Sequence, residues 1–114
     1  MGTYRMYTDG QGKARWEEID LAAHPEWNKG FEATNTYFAT RTPGVTADWH
    51  PAPRRQFVIV LSGQLEIGFE DGSKKVFAPG DARLMEDTTG KGHTTTAIGG
   101  VPCVAAYVTL KDQG

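Results

Sequence analysis

Two histidines stand near the ends of one strand-rich run, Asp48 to Ala97. His50 follows Trp49, and His93 follows Gly90-Lys91-Gly92. An imidazole titrates close to neutral pH, so two of them facing one cavity can act as base and acid on a bound molecule. Gln56 lies between them and offers a carboxamide that can orient a substrate carbonyl or one of the rings. His50, His93 and Gln56 are the candidate catalytic set. Arg54 shares the strand parity of Gln56 and is expected to point the same way, where a guanidinium would clamp a carboxylate or phosphate; Arg55 would then point out. Arg41 is a second such candidate, with Tyr37 on the same face of its strand. Trp49 is expected at the cavity mouth, either packing there or stacking on a ligand. His24 sits directly before Pro25 and reads as a loop residue.

These side chains need a scaffold, and the hydrophobic pattern describes one made of strands. Thr3 to Tyr7 reads as a first strand, and Trp16 to Ile19 is a candidate partner for it after the turn Asp9-Gly10-Gln11-Gly12. Residues 20–30 are less regular: Asp20 suits a helix N-cap, but Pro25 limits any helix to about one turn. Phe31 to Thr42 is rich in threonine and aromatics, as a half-buried pleated surface requires, with a core on one side and a cavity or partner on the other. Val45 to Trp49 follows. Pro51 and Pro53 then interrupt the ladder. Gln56 to Leu61 is apolar on both faces, which calls for a second sheet or a second subunit over it. Leu65, Ile67 and Phe69 alternate with Gln64, Glu66 and Gly68, giving one wet face. Asp71-Gly72 marks a hairpin. Lys75–Ala78, Ala82–Met85, His93–Ile98 and Cys103–Leu110 complete about ten short strands with no long helix. That spacing predicts an all-β sandwich or barrel.

Length and composition restrict the function. A chain of 114 residues is expected to be one domain, able to bury roughly two thirds of its unfolded surface. A net charge of −2 gives no electrostatic reason to expect nucleic acid or an anionic membrane as partner. No apolar run is long enough to span a bilayer, and the first residues lack the apolar stretch of a secretory leader, so a cytoplasmic protein is expected. The single cysteine, Cys103, excludes an intrachain disulfide and a multi-cysteine zinc site, and reads as an inert buried thiol. Thr88-Thr89-Gly90-Lys91-Gly92 lacks the spacing and following helix of a phosphate loop.

The two histidine segments resemble the two motifs of the cupins. In the first motif His50 takes the place of the first histidine, Ala52 that of the second, Gln56 that of the glutamate, and Gly63 is the motif glycine. In the second, Gly90 and His93 match, Thr88 replaces the proline, and Pro79-Gly80-Asp81 looks like the turn that precedes it. The chain is similar to small single-domain bacterial cupins of the type-2 kind that carry the same Trp-His…Arg-Gln and Glu-Asp-Thr-Thr-Gly-Lys-Gly-His signatures. The resemblance implies a double-stranded β-helix, or jelly-roll, barrel over residues 31–110. Residues 1–30 would pack on it as strands and loop. It also implies a cavity at one mouth and a homodimer.

The family's usual site holds a divalent transition metal, so His50, Gln56 and His93 are the ligand candidates for Fe, Mn, Ni or Zn. A neutral carboxamide in place of the glutamate leaves the ion's charge uncompensated unless Asp48, Glu86 or Asp87 repairs it. Three readings therefore stand: an enzyme of isomerase, cyclase or oxygenase type, metal-assisted or acid/base; a module that captures a small ligand without turnover; and a dimeric scaffold.

Overall fold

The computed structural model describes residues 1–112. Among the described residues ten strands form two sheets. The order in the larger sheet is β2-β1-β8-β5-β10-β3, built from β1 (Thr3–Thr8), β2 (Ala14–Glu18), β3 (Ala33–Arg41), β5 (Gln56–Ser62), β8 (Ala82–Glu86) and β10 (Cys103–Leu110). The smaller sheet runs β4-β9-β6-β7, from β4 (Thr46–His50), β6 (Gln64–Gly68), β7 (Lys74–Phe77) and β9 (His93–Ile98). The expected strands are found with ends displaced by one or two residues. The short helical turns Leu21–Ala23 and α1 (Glu26–Lys29) flank Pro25, and Asp20 caps the first by accepting a hydrogen bond from the amide of Ala22 at 3.0 Å. Among the described residues no helix is long and apolar enough to cross a membrane.

Period-two alternation explains the core. Val58 and Val60 of β5 and Leu65 and Ile67 of β6 point between the sheets and are buried, meeting Phe77, Ala97 and Ala105. Residues before β3 are part of this structure. Tyr4 and Met6 lie in the same core, and β1 pairs in parallel with β8, placing Tyr4 opposite Arg83 and Met6 opposite Met85.

Two expectations change. The strand after Phe31 is an edge strand, hydrogen-bonded to β10 alone, so most of it is exposed and Phe38 retains 67% of its surface. The apolar outer face of β5 is covered in part by the chain itself: Phe57 meets the rings of Trp27 and Phe31 edge-on, at 5.2 and 5.0 Å between centroids. Leu61, at the end of the strand, is left exposed.

Candidate functional site

The two sheets splay at one end around a cavity of about 520 Å³. The smaller sheet contributes the imidazoles. His50, the last residue of β4, stands opposite His93, the first of β9, after an irregularity in the pairing that begins beyond Ala47. That break in register turns His50 inward. Gly92 permits the approach. Its φ is +81°, and a Cβ there would collide with the carbonyl of His50, so only glycine lets the loop close onto β4. The ring centroids end 4.9 Å apart, tilted by 54°.

Both rings are held at Nδ1. His93 Nδ1 lies 2.6 Å from Asp87 Oδ2, and both residues are buried. His50 Nδ1 lies 2.7 Å from the carbonyl oxygen of Asp48. A carbonyl only accepts, so His50 carries its proton on Nδ1 and presents a lone pair at Nε2. An ionised Asp87 sets the same tautomer in His93 and stabilises its imidazolium once it has taken a proton.

The larger sheet supplies the facing wall. Across one row the register runs Tyr4, Arg83, Val58, Tyr107, Tyr37. Tyr37 and Tyr107 stack at 5.0 Å with their planes 7° apart. Gln56 is buried with its Oε1 unpaired, Arg41 lines the cavity with its Nε unpaired, and Arg83 is 4% exposed.

The expected site residues thus divide. His50, His93, Gln56, Arg41 and Tyr37 meet in the cavity. Arg54 does not: it is exposed and off the cavity wall. The parity with Gln56 fails because residues 51–55 are not strand, Pro51 and Pro53 having broken the ladder before it. Arg55 is half-buried and donates to Glu86, which Arg5 also holds. Trp49 alternates with His50, so it faces away, and the ammonium of Lys91 lies 4.5 Å from its ring. Arg83 and Tyr107 were not anticipated as site residues. The parity of Arg83 with buried Met85 was the available signal; for the pairing of Asp87 with His93, six residues apart through a loop, there was none. Cys103 is buried as expected, and burial pushes its thiol up.

A divalent metal fits this donor set poorly. Two neutral imidazoles and a carboxamide bring no negative charge, Asp87 is turned to His93, Glu86 is held by arginines, and two guanidiniums line the same cavity. Among the described residues no group of three or more His, Cys, Asp and Glu is placed to hold an ion.

Neither a protein-family model nor a curated protein matches the chain. Solved structures do. Protein NMB1881 from Neisseria meningitidis aligns with a TM-score of 0.54 at 16% identity, covering 83% of this chain and 100% of that one. A cupin-2 domain containing protein from Shewanella frigidimarina aligns at 0.51 and 15%, covering 82% and 94%. The epimerase RmlC from Legionella pneumophila, solved with dTDP-4-keto-L-rhamnose, aligns at 0.50 and 13%, covering 94% of this chain and 64% of that one. The chain has the cupin fold, a jelly roll of two sheets. Its two histidines lie side by side in the wall of the cavity.

Proposed function

We propose that this cupin-fold protein is a proton-transfer enzyme acting on a small organic molecule held between the sheets, without a resident metal. The observation that carries the reading is the buried hydrogen bond from His93 to Asp87, 2.6 Å long, with His50 beside it. Asp87 orients the His93 ring so that Nε2 is free to accept a proton from the substrate, and offsets the charge that results. With the rings 4.9 Å apart, one acts as base while the other acts as acid. Lying on one wall, they suit moving a proton between neighbouring atoms of one substrate face, as in isomerisation, dehydration or cyclisation. Gln56 would orient the carbonyl whose neighbouring C–H is activated. The likeness to an epimerase supports this at the level of fold alone.

The test is C–H exchange in deuterated water, followed by NMR over a panel of small carbonyl compounds, with metal content measured by plasma mass spectrometry. The expected result is exchange that survives chelation and is lost in His93→Ala. Near-stoichiometric transition metal that disappears in His50→Ala and His93→Ala would overturn the metal-free reading. A saturable rise in melting temperature with no exchange would favour the second reading, ligand capture, which the unpaired Gln56 Oε1 and Arg41 Nε also support. The proposed partner is a second copy of the chain, joined through the outer face of the larger sheet where Phe38 and Leu61 are exposed.

A further inference from the structure

Arg83 is a cation placed where a protein normally puts none. Its side chain is 4% exposed and lines the cavity. Its guanidinium lies 4.8 Å from the Phe77 ring, and the sulfur of Met6 is 3.9 Å from Nη1. Neither neighbour carries charge. A guanidinium has five N–H donors, and a buried one is ordinarily paired with a carboxylate or phosphate. No carboxylate of the described residues forms an ion pair with it. Asp87 is close enough to act on it electrostatically, but its hydrogen bond goes to His93. Arg41 enters the same cavity from the edge strand, its Nε buried and unpaired, and the two guanidiniums repel each other. With both histidines neutral, Arg41, Arg83 and Asp87 leave this region one positive charge in excess. The six-stranded sheet therefore presents two incompletely paired guanidiniums, with the stacked Tyr37 and Tyr107 in the same wall, while the four-stranded sheet presents two imidazoles.

We infer that Arg83 and Arg41 form an oxyanion-binding subsite, so that the molecule taken into this cavity carries a carboxylate or phosphate group. That group would dock on the larger sheet and leave the rest of the molecule against Tyr37, Tyr107 and the histidine pair. The inference rests on the proposed function for what the histidines then do, but not for the binding itself. A ligand anion supplies the acceptors that the fold withholds from Arg83, and the volume, about 520 Å³, lies in the range of pockets that enclose whole small molecules.

Binding is measured by NMR titration with three probes at constant ionic strength: benzoate, its neutral isostere benzamide, and inorganic phosphate. The expected result is saturable binding of benzoate or phosphate at the resonances of Arg83 and Tyr107, with benzamide at least about tenfold weaker than benzoate. Arg83→Met should weaken the anion by about tenfold to 100-fold, and Arg83→Lys should restore part of it. Arg41→Gln, at a half-buried position, provides the same test should Arg83→Met not fold. Benzoate binding without phosphate would assign a carboxylate ligand, and the reverse a phosphoryl group. His93→Ala should leave anion affinity within about threefold, so loss of turnover there with binding intact would separate the subsite from the chemistry. The inference is overturned if neither anion binds, if benzamide binds as well as benzoate, or if folded Arg83→Met or Arg41→Gln binds like wild type.

Discussion

Replacing Arg83 by methionine should make the protein more stable. Burial, with the like charge of Arg41 adding to it, brings the Arg83 guanidinium down from its ordinary value to about 10, where it is still protonated at neutral pH. At about 1.4 kcal/mol per decade, a fall of this size to about 10 corresponds to a cost of roughly 3 kcal/mol for keeping the charge in the folded state. The sign follows from linkage. The unfolded chain holds this proton more tightly than the folded one. The penalty is therefore fully present at every pH below the folded value and fades as the pH rises through about 10 toward the ordinary value of the guanidinium. Methionine is close in length and apolar, and forfeits the contact with Phe77, worth about 0.5–2 kcal/mol. A net gain of ~1–2 kcal/mol remains. For a chain of this length that is a rise of about 4–8 °C in Tm. Calorimetry at pH 7 reads the rise, and a second melt near pH 10.5 should show a smaller difference between the two proteins. A Tm for Arg83→Met at or below wild type at pH 7 would refute the argument that this charge is held at a cost. The prediction also pairs with the anion titration: at equal concentration benzoate should raise the wild-type Tm more than that of Arg83→Met.

Asp87→Asn keeps the shape of the site but removes the charge that fixes the His93 tautomer, so proton exchange should fall by about 100-fold or more. Nitrogen-15 shifts should show the His93 ring redistributed between tautomers; an unchanged ring would refute the orienting role. Gly92→Ala sets a Cβ against the His50 carbonyl at a φ of +81° and should cost ~2 kcal/mol or more in urea unfolding; a cost below ~0.5 kcal/mol would mean the loop closes otherwise. Phe38→Glu with Leu61→Glu should shift the light-scattering mass from two chains to one; a wild type that is already monomeric at micromolar concentration removes the dimer.

Strand positions were legible because period-two alternation and turn residues are local signals. Leu65 and Ile67 point inward as their alternation requires, and Gly80, at φ +91°, sits in the turn that Pro79-Gly80-Asp81 announces. The histidine pair was legible because its motif spacing survives. The arginines were not. Parity carries across a strand only while the ladder is continuous, and the two prolines before Gln56 made Arg54 and Arg55 unreadable by that rule. The exposure of β3 was hidden for a different reason: a strand's own pattern does not say whether it lies at the edge of a sheet. Asp87 lies in the loop after β8, where no period exists, so its contact with His93 carried no local signal.

The parallel pairing of β1 with β8 bears on how divisible this protein is. The core motifs begin well after Phe31, and a minimal barrel cut there would look complete as a pattern. It would lack Met6, whose sulfur faces the Arg83 guanidinium, and Tyr4, the neighbour of Arg83 in register. It would also lack Gly12, whose carbonyl sits where Gly90 leaves room by having no side chain. The first twenty residues therefore belong to the core that backs the strand of Arg83. Trimming them would leave β8, the strand of Arg83, as an unpaired edge of the larger sheet. In any rearranged or fused version of this chain they must travel with the barrel.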